Sequence, residues 1–156
     1  MIEISERLRQ WGVDMSDSYG LGVRGTEPEL WVDSGATAVA FYRKAFGATV
    51  LHQVGDGEDI VAQLEVGNGV RFWVAATPSG GERQTPTAIL GATGRTLLIV
   101  DDVTGAVEGA VQAGAELLAA VAEEFGWRLG RVRDPAGHEW EIGHPIGDWP
   151  PGSERT

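Results

Sequence analysis

The chain has 156 residues, with 12 Lys and Arg against 23 Asp and Glu, for a formal net charge of −11. That length suits one domain, which at this size buries roughly 68–70% of the surface its unfolded chain exposes. The absence of cysteine excludes disulfides, zinc–thiolate sites and thiol nucleophiles, no basic cluster is available for a nucleic-acid partner, and no apolar run approaches the roughly 18 residues that span a bilayer. The charged opening MIEISERLRQ is unlike a signal peptide, so a cytoplasmic protein with no membrane partner is expected.

Residues 1–27 differ from the rest of the chain: Ile2, Ile4, Leu8 and Trp11 suggest a short amphipathic helix, succeeded by the flexible DSYGLGVRG stretch. This reads as an N-terminal extension that packs on a core or on a neighbouring subunit. From residue 28 the periods sharpen into a strand at Glu29 to Asp33, a helix from Ala36 to Phe46, and strands at 48–53, 60–66 and 70–76. Gly67-Asn68-Gly69 makes a tight turn between the last two, because Asn and Gly accept positive φ at low cost. Residues 77–94, with Pro78, Gly80, Gly81, Pro86, Gly91 and Gly94, read as a linker or mobile loop. The order then returns: strand 96–101, helix 103–113, strands 115–121, 128–133 and 138–143, and a turn at Asp134-Pro135-Ala136-Gly137. Residues 145–156 form an irregular tail.

The return is visible residue by residue. Ala38-Val39 recurs as Ala106-Val107, offset by 68, and Phe46-Gly47-Ala48 as Ala113-Gly114-Ala115, offset by 67. At an offset of 68, Leu64 falls on Val132, Gly69 on Gly137, Phe72 on Trp140 and Val74 on Ile142. The chain is thus two copies of a strand, helix, three-strand module, the first at 28–76 and the second at 95–144, within one domain spanning 28–144. Strand alternation then sorts the side chains. Phe72, Val74, Trp140 and Ile142 face the helices, whereas Trp31, Glu29, Gln63, Glu65, Arg71, Trp73, Arg131, Arg133, Glu139 and Glu141 take the other face. That second face can line a concave cavity if the modules curve toward each other.

Ala40-Phe41-Tyr42-Arg43-Lys44-Ala45-Phe46-Gly47-Ala48 and Arg133-Asp134-Pro135-Ala136-Gly137-His138-Glu139-Trp140-Glu141-Ile142, within the repeated module, resemble the vicinal oxygen chelate superfamily. That group includes glyoxalases, extradiol dioxygenases, fosfomycin-resistance transferases and bleomycin-binding resistance proteins. The resemblance implies an α+β fold of two tandem βαβββ modules, a curved mixed sheet around a cavity, and by analogy a homodimer. Metal-using members hold a divalent ion on the first and last strands of each module, where it chelates vicinal oxygens of a substrate. Glu141 matches the glutamate on the last strand of the second module. Trp73 holds the equivalent place in the first, and indole cannot ligate such an ion. The first strand offers Pro28, Glu29 and Leu30, and the fifth offers Arg95, Thr96 and Leu97. Glu29 and Glu141 are thus the remaining metal candidates, and no cofactor is the expectation.

The leading expectation is a non-catalytic small-molecule binding protein, with Trp31, Trp73, Glu141, Arg133 and His52 around the ligand. Flat aromatic faces hold cations or heteroaromatic rings, and carboxylates bond their amines. The acidic window between Lys44 and Arg71, with Asp56, Glu58, Asp59 and Glu65, suits a cationic ligand, although the simpler reading is that the negative charge only keeps the protein apart from its neighbours. Two alternatives stand beside it: a metal-dependent lyase, isomerase or dioxygenase with a displaced ligand set, and a metal-free enzyme using Glu141 or Glu139 as acid or base. No catalytic residue is assigned.

Overall fold

The computed structural model describes residues 21–78 and 80–152; the expected helix around Ile2 to Trp11 lies outside them. The first module comprises β1 (Glu29–Val32), α1 (Gly35–Phe46), β2 (Thr49–Val54), a 3-10 turn (Gly57–Asp59), β3 (Val61–Val66) and β4 (Val70–Ala76). The second comprises β5 (Arg95–Ile99), α3 (Val103–Gln112), β6 (Glu116–Glu124), β7 (Trp127–Arg133) and β8 (Glu139–Pro145). Between them lies a short helix, α2 (Pro86–Ile89). No helix among the described residues is long and apolar enough to cross a membrane.

Each module folds its strands into one mixed sheet, in the orders β1-β4-β3-β2 and β5-β8-β7-β6. The β1–β4 and β5–β8 pairs are parallel and the others antiparallel, so the duplication seen in the sequence is a duplication of topology. The curved surface expected as one sheet is two sheets of four strands.

Helix α1 forms where an alanine-rich run places Gly35, Ala38, Val39, Phe41 and Tyr42 on one buried face. The Ser34 side chain accepts from the Thr37 amide at its start. At its end Gly47, at φ 65°, takes the left-handed cap, and the Gly47 and Ala48 amides return to the Arg43 and Tyr42 carbonyls. Helix α3 is capped likewise, Asp102 accepting from the Gly105 amide.

Both sheets and both long helices bury their apolar faces in one core. The alternation read from the sequence holds there: Phe72, Val74, Trp140 and Ile142 are buried, while Trp31, Trp73, Glu139 and Glu141 stay partly exposed. Full burial of an aliphatic or aromatic side chain of this size stabilises the fold by about 1.5–3 kcal/mol. The modules meet through these back faces: the rings of Phe72 and Trp140 lie 5.5 Å apart, and those of Tyr42 and Trp140 lie 5.6 Å apart. Each open face lies on the side of its sheet away from that shared core.

Asp134, the first residue of the Asp-Pro-Ala-Gly turn, does more than shape that turn. Its carboxylate is buried and accepts four hydrogen bonds. The Ala136 and His138 amides donate to Oδ1 at 2.9 and 3.0 Å, the Trp140 indole donates to Oδ2 at 2.9 Å, and the Tyr42 hydroxyl donates to the same Oδ2. Helix α1 of the first module is thereby tied to the turn of the second. Burial, and then the charge and hydrogen bond of Asp134, push the Tyr42 phenol well above its ordinary range.

The segment expected as a linker or mobile loop is held at its centre. Asp33 accepts from the hydroxyls of Thr85, at 2.8 Å, and Thr87, and Thr85 caps α2 by accepting from the Ala88 amide. The two bonds to Asp33 join residues 52 and 54 positions apart, which local patterns do not reveal.

Candidate functional site

On the open face of the first sheet, register brings Glu29, Trp73, Gln63 and His52 side by side across β1, β4, β3 and β2. Glu29 Oε2 accepts from the Trp31 indole at 3.2 Å, and the His52 ring stands edge-on to Trp73 at 6.5 Å between centroids. Gln63 donates to Glu27 at 2.6 Å. This face therefore carries two indoles and the carboxylates Glu27, Glu29 and Glu65, with one guanidinium, Arg71, paired to Glu65 at 3.2 Å. Of the sequence-derived candidates, Trp31, Trp73, His52 and Glu29 are brought together.

Glu141 and Arg133 belong to the other open face. There the matching row is Leu97, Glu141, Arg131 and Ala119, flanked by Arg95, Glu139, Arg133 and Glu116. Glu141 Oε2 accepts from Arg131 Nε at 2.6 Å and from Arg95 Nη1 at 3.2 Å. Arg133 pairs with Glu116 at 2.7 Å and Glu139 at 3.5 Å, and Arg131 also reaches Glu124 at 3.0 Å. The hydrogen bond to Glu141 is the main reason that Arg131 is held further above its ordinary range. Each of these carboxylates has a guanidinium partner on the same face.

A cleft of about 510 Å³ opens where β1, the 82–94 segment, β5 and the start of β8 converge. Its walls include Glu29, Trp31, Glu82, Arg95, His138 and Glu139. The His138 Nε2–H donates to the Trp31 carbonyl at 2.7 Å, since a carbonyl can only accept, and so pins β1 against the second module. Sequence alternation placed His138 at the beginning of its strand but gave no sign of this contact. Glu82 and the neighbouring Arg83 were missed altogether, because their position depends on how the 77–94 segment folds back. The guanidinium carbon of Arg83 lies 5.8 Å from the centroid of the Trp31 ring.

The family's divalent ion finds a poor donor set here. Pairing of β1 with β4 and of β5 with β8 makes Glu29, Trp73, Leu97 and Glu141 the four corresponding positions. An indole and an aliphatic side chain donate nothing to a hard cation. Glu29 and Glu141 lie on different sheets, and Glu141 is already engaged by two guanidinium groups. Among the described residues no three His, Asp or Glu side chains are grouped to hold a metal ion. These residues do not fit the ion, and no chemistry is derived through it.

Comparison with known proteins accords with the duplicated topology. The Glyoxalase/Bleomycin resistance protein/Dioxygenase superfamily profile matches residues 26–142. An uncharacterized protein of Mycobacterium bovis is 37% identical over 124 residues, which cover 76% of this chain and 82% of that protein. A gene product from Arabidopsis thaliana superimposes with a TM-score of 0.65 at 29% identity, over 78% of this chain and 99% of that one. The manganese-complexed fosfomycin resistance protein FosX from Listeria monocytogenes superimposes with a TM-score of 0.59 at 17% identity, over 81% of this chain and 93% of that one, a likeness of fold. The chain belongs to the Glyoxalase/Bleomycin resistance protein/Dioxygenase superfamily.

Proposed function

We propose that the protein binds a small cationic or aromatic molecule without transforming it, on the open face of its first sheet and in the adjoining cleft. The observation that carries this reading is the contiguity of Trp31, Glu29 and Trp73 beside a 510 Å³ cleft. A cation on an indole face contributes about 0.5–2 kcal/mol depending on burial, and a hydrogen bond to a charged group about 1.5–3 kcal/mol. Those contacts orient a ligand, and apolar area within the cleft supplies the remaining affinity. Glu141 and Glu139 are bound up in ion pairs with Arg95, Arg131 and Arg133, which does not favour either as a free acid or base.

The working unit is taken as a homodimer, in keeping with exposed Leu97 and Ile99 on the edge strand β5. Titration with a panel of cationic aromatic compounds, followed by tryptophan fluorescence, tests the function. A saturable response is expected, weakened about tenfold, or 1.4 kcal/mol, in Trp73→Leu. A flat response across chemically diverse compounds counts against binding.

A further inference from the structure

The indole of Trp31 already has a cation against it. Arg83 is exposed and has no ion pair among the described residues. Its guanidinium, 5.8 Å from the ring centroid, lies within the distance at which an aromatic face attracts a cation. The chain on the two sides of Arg83 is built differently, although the Gln84 side chain also donates to the Gly81 carbonyl across it at 2.8 Å. Two residues later Thr85 is anchored to Asp33 at 2.8 Å, whereas Gly80, at φ 82°, and Gly81 precede it. Glycine tolerates the backbone changes that a swinging side chain and its neighbours require. Glu82 and Gln84, on either side of Arg83, line the cleft themselves.

We propose that Arg83 is an intrachain competitor for the ligand: a planar amidinium or guanidinium on the incoming molecule takes its place on Trp31. This rests on the binding function proposed for the first sheet and specifies its ligand. A planar cation can stack on an indole, and its parallel N–H groups suit a carboxylate. Glu29 adjoins that indole, with Glu82 and Glu139 along the same cleft. An ammonium, a compact point charge with neither a planar face nor a fork of N–H groups, matches an indole beside a carboxylate less well.

Benzamidinium and its neutral analogue benzamide are the probes, titrated into the full chain and into Arg83→Gln, Trp31→Leu and the double variant. Thermal melting confirms that each is folded. Arg83→Gln should bind benzamidinium about two- to fivefold more tightly, the gain expected from freeing an exposed cation–aromatic contact, with no gain for benzamide. On the Trp31→Leu background, Arg83→Gln should change nothing. Equal or weaker benzamidinium binding by Arg83→Gln overturns the competitor role, as does an equal gain for benzamide or a gain that survives loss of the indole. Saturation of the wild type and Arg83→Gln at one affinity removes this inference alone. Absence of benzamidinium binding in both removes it, and a flat response to the wider panel removes the binding reading as well.

Discussion

In the first module the open face sets Trp73 between Glu29 and Gln63, with His52 beyond; in the second, the matching row is Leu97, Glu141, Arg131 and Ala119. The back faces of the same strands remain alike, Phe72 matching Trp140 and Val74 matching Ile142, all buried. Burial in one shared core constrains size and polarity on both copies, because a change there leaves a void or an unpaired polar group. Open faces carry no such constraint. One has become a ladder in which Arg95, Arg131 and Arg133 pair with Glu116, Glu124, Glu139 and Glu141. The other keeps two indoles and an excess of carboxylate, and so retains something to offer a ligand.

The contact that joins the modules is where the comparison breaks most severely. Asp134→Ala removes the acceptor of four buried or part-buried donors and should destabilise the chain by on the order of 3–5 kcal/mol in urea denaturation. A loss below about 1 kcal/mol would show that the Asp134 carboxylate does not hold the modules together.

A smaller effect comes from Tyr42. Its phenol loses its proton less readily in the folded chain than when unfolded, so above its unfolded value near 10 the folded state binds more protons. That stability is fully present below about pH 10 and declines as pH rises further. Alkaline unfolding curves should show the decline in wild type and a shallower one in Tyr42→Phe.

Smallest of all should be Glu141→Gln. The Glu141 pairs with Arg95 and Arg131 are partly exposed, with side-chain exposures of 47% and 29% for the arginines, and such pairs contribute about 0–1 kcal/mol. A larger loss in the same urea experiment would mean that the second face is a built site rather than a neutralised surface.

Strand alternation in the sequence located both faces of both sheets, because side-chain direction in a strand is a local property with a period of two. The 68-residue offset exposed the duplication for a related reason: buried positions repeat when the packing repeats. The Gly67-Asn68-Gly69 turn was legible too, through a backbone conformation that favours glycine. What the sequence withheld depends on contacts between distant residues. Tyr42 inside an apolar helix face was a signal that a buried hydroxyl needs a partner, but nothing local named Asp134, 92 positions away. Alternation set Trp73 and Glu141 on open faces without showing that those faces belong to two separate sheets. Arg83 lies near Trp31 in a loop that Thr85 and Thr87 fasten to Asp33.

The division of labour between the faces is tested most directly by a crystal structure of the protein with a cationic aromatic ligand bound at saturation. Ligand density should lie against the indole of Trp31 or Trp73, within reach of Glu29. Density confined to Arg95, Arg131 and Arg133, touching neither indole, would contradict the assignment of binding to the first module.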